Sequence, residues 1–377
     1  MAKNQNISIF SFFAGAGFLD LGFEKTGFNI CYVNELHKPF LEAYAHSRRV
    51  MQMAPPTYGY SHQSIEALAD NEKLIGAIEM ECKYGNICGF IGGPPCPDFS
   101  VGGKNKGRKG ENGKLSEIYA NLVCDRKPEF FLFENVKGLY RTHKHREFFE
   151  YLKQKLGRFY HLNERLINSI QYGAPQDRDR IILIGFRRDC FPAVPLDWGR
   201  LVYPNRTAFE YSWPRIESFV PDVAKPVPNH IPLELTVQHW FDKNNVEKHP
   251  NANHAFTPRA GKAKFKVIGE GDDKKKSYKR LHRWRYSPTA AYGNNEVHLH
   301  PYKARRLSAA EALAIQSLPA EFELPESMTL TNMFKCIGNG VPFLAAKGFA
   351  SSIHNHIREH HESYSEQLSR RNQSTAA

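Results

Sequence analysis

The run ISIFSFFAGAGFLDLGFE, residues 7–24, decides how the chain begins to fold. Residues 7–13 are dense in β-branched and aromatic side chains and too short for a helix, so they read as a buried strand. Residues 18–26 carry apolar side chains at helical spacing and stop at Gly27, a plausible C-cap. Between them Gly15 and Gly17 let the backbone turn sharply and approach a ligand, and the helix that follows presents unpaired N–H groups. A second strand at 28–34 delivers Glu35 about 20 residues beyond the turn, where a carboxylate can bond both hydroxyls of a ribose. The unit predicts an adenosine-type cofactor. Phe18 and Leu19 stand where a pyrophosphate loop wants its third glycine, which favours a cofactor without a pyrophosphate over a nicotinamide one.

Outward from this unit the alternation continues. A helix follows Pro39, strands fit 87–93 and 129–135, helices fit 115–126 and 144–156, and strands fit 162–170 and 180–186. Such βαβ units predict an α/β fold with an open, mostly parallel sheet. Between 188 and 298 prolines cluster and neither period persists, so this stretch reads as a smaller, irregular domain. Helical spacing returns at 307–318, with Ser308 and Glu311 in the capping-box arrangement, and after Pro342 to about residue 360. The polar end SRRNQSTAA is expected to be disordered. The domains are therefore expected to be 1–187 plus 299–377, with 188–298 inserted.

Length agrees, since 377 residues exceed one ordinary core. With 41% hydrophobic residues and a mean hydropathy of −0.53, but no apolar run of about 18 residues, whole-chain disorder and a membrane-spanning role are excluded. The seven cysteines are scattered and none has CxxC spacing, so no metal site is expected and the compartment reads as cytoplasmic. Residues 7–13 lead straight into a helix, not into a leader's cleavage region. Lys and Arg total 51 against 39 Asp and Glu, a net charge of +12, which suits an acidic partner.

Four further units carry chemistry. GGPPCPDFS at 92–100 holds Cys96 in a rigid loop at the carboxyl end of a strand, where α/β sheets bind ligands and a thiolate is a candidate nucleophile. FFLFENV at 130–136 delivers Glu134 and Asn135 to the same edge. In PQDRDRIILIG, Arg178 and Arg180 are two apart and share one side of a strand. IGNGVP at 337–342 is a turn opening the last helix.

Together, in this order, the motifs resemble the cytosine-5 DNA methyltransferases over nearly the whole length. The resemblance implies an S-adenosylmethionine-dependent (Rossmann-like) methyltransferase fold, with 188–298 as the target-recognition domain. FFAGAGF resembles the cofactor motif: Phe13 packs on the adenine, with Gly15, Gly17, Phe18 and Leu19 around the turn. Glu35 takes the place of the ribose-binding acid and Leu36 that of an apolar flank of the adenine. Pro95 with Cys96 resembles the catalytic loop, Glu134 the catalytic acid, and Arg178 with Arg180 the Gln-x-Arg-x-Arg motif. HPYKARRLS with Gln316 resembles the penultimate motif, and Asn339, Gly340 and Val341 belong to the last one. The implied reaction begins with Cys96 adding to carbon 6 of a flipped cytosine while protonated Glu134 donates to ring nitrogen 3, and Arg178 and Arg180 hold the base carbonyl and a phosphate. Departures from the family pattern are Pro97 for Gln, Phe18 for a second glycine, Ser64 for the Asp that reaches the adenine amino group, and Gly340 for Ser or Ala.

The positive charge is concentrated. Residues 262–285 hold ten Lys or Arg and three Asp or Glu, with Tyr278, Trp284 and Tyr286 interleaved, which suits a phosphate-contacting surface. Lys274, Lys275, Lys276, Lys279, Arg280, Arg283 and Arg285 are the expected DNA contacts there, with Lys104, Lys106 and Arg108 in a mobile loop after Cys96. Double-stranded DNA is the expected partner, a cognate restriction endonuclease the functional one, and a monomer in the nucleoid the expected setting. A tRNA substrate is the alternative within the same chemistry, a catalytically silent DNA-binding regulator the alternative outside it, and an NAD-dependent oxidoreductase is more distant.

Overall fold

The structure, a computed structural model, describes residues 6–95, 111–199, 201–257, 263–275, 277–290, 292 and 297–375. Its first half alternates as the sequence predicts: β1 (Ile7–Phe12), α1 (Phe18–Glu24), β2 (Asn29–Asn34), α2 (Lys38–Val50), β3 (Tyr60–Ser61), α3 (Glu72–Lys83), β4 (Ile87–Gly92), α4 (Glu111–Arg126), β5 (Phe130–Val136), α5 (His143–Leu156), β6 (Tyr160–Asn168) and β7 (Asp179–Arg187). After these come α6 (Val237–Lys243), α7 (Lys264–Val267), β8 (Lys279–Arg280), β9 (His298–Leu299), α8 (Ala309–Ile315), α9 (Leu330–Asn339) and α10 (Phe343–Thr375).

The seven-stranded sheet runs β3-β2-β1-β4-β5-β7-β6. β1 to β5 are parallel, and β7 enters antiparallel between β5 and β6. The chain winds outward from β1 to β3, then returns to β4 on the other side of β1. The crevice at the carboxyl ends of β1 and β4 is therefore the switch point where open α/β sheets bind ligands.

Alternation along each strand feeds two cores. Ile9, Ile91, Leu132 and Ile182 pack with α1 and α10 on one face, while Phe10, Phe12, Phe90 and Phe131 pack with α3, α4 and α5 on the other. The capping box at α8 is present, with Ser308 Oγ accepting from Glu311 N and Glu311 returning to Ser308 N. The Gly-Asn-Gly turn does precede the last helix, but Gly338 and Asn339 are the final turn of α9. Helix α10 continues to Thr375, through most of the polar end expected to be disordered, and residues 376–377 lie outside the described residues. From Ser351 onward this segment contains no glycine or proline to stop a helix.

The irregular stretch from 188 is not held by its own elements alone. Val237, Trp240, Phe241 and Leu281 share a core with Ala310 and Ala314 of α8. Asn244 Nδ2 donates to Leu318 O and Asn251 Nδ2 to Leu324 O, both at 2.9 Å. β8 pairs in parallel with β9, joining Arg280 to Leu299 across the expected boundary at 298.

Candidate active site

Strand register builds the site. Phe12 lies opposite Asn34 on β2 and Gly92 on β4, and Gly92 lies opposite Phe133 on β5. One residue further along each strand stand Glu35, Phe13, Gly93 and Glu134. Four segments that are distant in sequence thus end in one row at the carboxyl edge of the sheet.

On the β1–β2 side the backbone takes left-handed conformations at Phe13 (φ 55°), Gly15 (57°) and Gly17 (79°). For a phenylalanine that conformation is strained, and such strain persists where the surroundings impose it. Gly15 N donates to Glu35 Oε2 at 2.9 Å and His37 N to Oε1 at 2.7 Å, so Glu35 ties the turn to β2 while each oxygen keeps a lone pair for another donor. A Cβ built on Gly15 meets nothing within 4 Å, whereas one on Gly17 lies 2.4 Å from the Tyr44 ring. The turn is open on its Gly15 side and closed behind Gly17. Leu36, 63% exposed, offers a large apolar side chain beside Glu35.

Other expected cofactor residues sit differently. Phe18 and Leu19 are buried, Phe18 with Phe40, Leu313 and Phe322 and Leu19 with Phe23, which leaves only their backbone near the turn. A Cβ on Gly340 would fall 2.1 Å from the Phe18 ring, so two departures from the family pattern are one packing solution: a large residue at 18 requires none at 340. Val341 is buried, Asn339 and Pro95 are exposed, and Ser64 Oγ caps the short turn Ile65–Ala67 by accepting from Glu66 N.

On the β4–β5 side Glu134 is buried, and Arg180 Nε donates to its Oε1 at 2.8 Å. Glu134 is paired with Ile182 and Arg180 with Val136 across the β5–β7 ladder, which places both side chains on one face. Burial raises the Glu134 carboxyl above the usual carboxylate range, although Arg180 and Arg178 oppose it. A Cβ on Gly93 would come within 2.7 Å of Glu134 Oε2, so a larger residue there would displace the acid's carboxyl. Asn135 Nδ2 donates to Pro94 O, holding the start of that loop. Cys96 itself lies outside the described residues.

The C-5 cytosine-specific DNA methylase family model matches residues 7–355. This chain belongs to that family. It is 61% identical over 366 residues to the type II methyltransferase M.NmeDI of Neisseria meningitidis serogroup C, covering 96% of this chain and 86% of the relative. It is 28% identical over 376 residues to the type II methyltransferase M.MthTI of Methanothermobacter thermautotrophicus, covering 93% and 97%. Among solved structures it resembles the Entamoeba histolytica methyltransferase EhMeth, with a TM-score of 0.58, 13% identity and coverage of 94% and 99%. The chain is thus a DNA cytosine-5 methyltransferase, and its seven-stranded sheet is that of the methyltransferases.

In this methylase Arg178 is placed apart from its partner Arg180. It is 1% exposed, and its guanidinium donates to Gly338 O at 2.7 Å and Ala290 O at 3.1 Å. Both terminal nitrogens are thus held by Gly338 and Ala290, tying the residue before β7 to α9 and the insert, and leaving Nε without a partner among the described residues. Gln176 adds to this junction by donating to Gln316 Oε1 and accepting from Ala290 N.

The basic run divides in the same way. Arg280 is fully buried, donating to Ile268 O, Phe265 O, His300 O and Lys303 O with its plane 3.7 Å from the Phe219 ring centroid. Arg283 is buried against Glu270 at 2.9 Å and donates to Val223 O. Neither is available to DNA, which corrects the expectation for both. Lys274 and Lys275 are exposed, Lys279 is half-buried, and Arg285 sits 3.7 Å from Asp273. Lys276, Lys104, Lys106 and Arg108 lie outside the described residues. Missed by sequence reading was a buried group behind the turn, Asp20, Glu24, Tyr44 and Arg48, for which no motif gives a signal.

Proposed function

We propose that this methylase takes its methyl group from S-adenosylmethionine, bound at the β1–β2 turn, and modifies a cytosine within a short duplex sequence as the modification enzyme of a restriction–modification pair. The row Glu35–Phe13–Gly93–Glu134 carries the reading, because it sets a cofactor turn and a buried acid on adjoining strands of one sheet edge. The fit to the cofactor rests on the open side of Gly15, the free lone pairs of Glu35 and the exposed Leu36. When bound there, S-adenosylmethionine supplies an electrophilic methyl group.

The protein's own residues prepare the base. Carbon 5 of cytosine is a weak nucleophile within an aromatic ring, and addition of the Cys96 thiolate to carbon 6 converts it into an enamine carbon. Burial raises the Glu134 carboxyl, which favours the protonated form that donates to ring nitrogen 3 as charge develops there. Arg180 fixes the orientation of that carboxyl through Oε1. Loss of the carbon 5 proton and expulsion of the thiolate restore the ring. Because carbon 6 is shielded within stacked duplex DNA, the base is flipped out first. Lys274 and Lys275, on the exposed part of the insert, contact phosphates. The type II names of its relatives support a reading in which it works on cellular DNA in the cytoplasm, opposite a cognate endonuclease.

Incubation with labelled S-adenosylmethionine and mixed-sequence duplex DNA tests the reading. Label in 5-methylcytosine is expected, with a Cys96→Ala enzyme losing at least about 10³-fold in rate. No methylated cytosine with the native enzyme, or equal label with Cys96→Ala, overturns it. Faster labelling of tRNA than of duplex DNA selects the RNA alternative.

A further inference from the structure

A buried ionic cluster lies directly behind the cofactor turn, and nothing in the reaction above uses it. Arg48 of α2 is 1% exposed. Its Nη2 donates to Gly17 O at 2.7 Å and lies 2.7 Å from Glu24 Oε2, and its guanidinium carbon sits 4.2 Å from the Tyr44 ring centroid. Gly17 is the left-handed residue that starts α1, and its carbonyl also accepts the first helical bond from Leu21 N at 3.0 Å. Tyr44 fills the other side of Gly17, 2.4 Å from where a Cβ would stand. Ser11 Oγ donates to Asp20 Oδ1 at 2.9 Å, fastening the end of β1 to α1 within the same cluster.

A buried arginine is a costly way to fill space, since an apolar side chain of similar volume packs as well without losing hydration. What the guanidinium adds is direction: a charged donor on one chosen carbonyl. That carbonyl belongs to the residue at which the turn becomes the helix. Glu35 holds the front of the turn through Gly15 N, and Arg48 holds the back through Gly17 O. The two anchors bracket the segment carrying Phe13 and Gly15.

We propose that Arg48 is a positioning residue for the cofactor: by fixing the Gly17 carbonyl it sets the affinity for S-adenosylmethionine without touching it. The proposal rests on the reading of this turn as the cofactor site. Glu24 serves the cluster's charge balance, because it pairs with Arg48 and no hydrogen bond joins it to Gly17 among the described residues. The two roles are therefore separable.

The test is calorimetric titration of S-adenosylmethionine into the full-length enzyme without DNA, for the native protein, Arg48→Lys and Glu24→Gln, with steady-state kinetics and melting temperatures alongside. Both contacts come from the one nitrogen Nη2, and lysine keeps the charge but ends one atom short of that position. Arg48→Lys is expected to bind the cofactor about tenfold more weakly and to raise its KM by the same factor, with kcat and DNA affinity unchanged. Glu24→Gln is expected to lower the melting temperature while leaving cofactor affinity within about twofold. Cofactor binding by Arg48→Lys equal to native, or an equal loss in Glu24→Gln, overturns the proposal. Failure of the native protein to bind S-adenosylmethionine instead overturns the reading of the turn. Should Arg48→Lys not fold, the neutral pair Arg48→Gln with Glu24→Gln takes its place, compared against Glu24→Gln alone with the same expectations.

Discussion

The carboxyl edge of the sheet and the basic run at 262–285 are both dense in polar side chains, yet they differ in what residue type reveals. At the sheet edge each motif ends a strand of known direction, and the register of parallel neighbours sets Glu35, Phe13, Gly93 and Glu134 in one row. In the basic run no period persists, so a side chain's direction depends on the packing around it. Arg280 and Arg283 turn inward to carbonyls and Glu270, while Lys274 and Lys275 stay outside. Register places the Glu134 carboxylate from sequence, whereas the direction of a cation, at Arg178 as at Arg280 and Arg283, is set by the packing around it.

The largest effect expected from breaking this contrast is at the sheet edge. Glu134→Gln keeps the shape but lacks the transferable proton, and the methylation rate should fall about 10²–10⁴-fold in single-turnover assays. Because burial raises the Glu134 carboxyl, the native enzyme is active while that group is protonated and loses rate as pH rises through its raised value. In the variant that limb of the pH profile should disappear. A profile unchanged in shape would remove Glu134 from the acid role.

Next comes the inward arginine. Arg280→Ala leaves several buried carbonyls without their donor, and urea denaturation should show a loss of about 3–5 kcal/mol, with the insert unfolding first. Native stability combined with weakened DNA binding would restore Arg280 to the DNA surface.

A third measurement compares buried charge on the two sides. Asp20 is fully buried, and desolvation raises its carboxyl to about 7 from an ordinary 3.8, against the pull of Arg48. Between those values the folded state binds the extra proton, so this group adds stability as pH falls from 8 toward 5 and withdraws it as pH rises through 7. Asp20→Asn should flatten that slope and stabilise the protein at pH 8 by at most about 4 kcal/mol, read from melting curves at both pH values. A variant with the native slope would show that Asp20 does not titrate there.

The smallest effect is expected at the exposed lysines. Lys274→Ala should leave the melting temperature unchanged, weaken duplex binding by less than about 1 kcal/mol and reduce the salt slope by about 1. Loss of stability there would erase the distinction between inward and outward cations.

Most of the sheet could be read from the chain, because β1, β2, β4, β5 and β7 are short apolar runs bounded by glycine, proline or charge. The place of Glu134 at the sheet edge was legible for the same reason. Illegible were Arg178, whose partners Ala290 and Gly338 are 112 and 160 residues away, and the Arg48 cluster, which joins α1, α2 and β1. Phe18 and Gly340 also looked like two separate departures until packing showed one ring filling the space of one missing side chain.

Sequence by itself determined the order of the motifs, the direction of the strands that carry them and therefore the edge at which they meet, since each depends on local period and chain connectivity. Tertiary structure alone decided which cations stay exposed, which arginine pairs with Glu134 and which one bonds the Gly17 carbonyl. Those outcomes depend on whether a guanidinium finds buried acceptors from distant segments, and local period does not encode that.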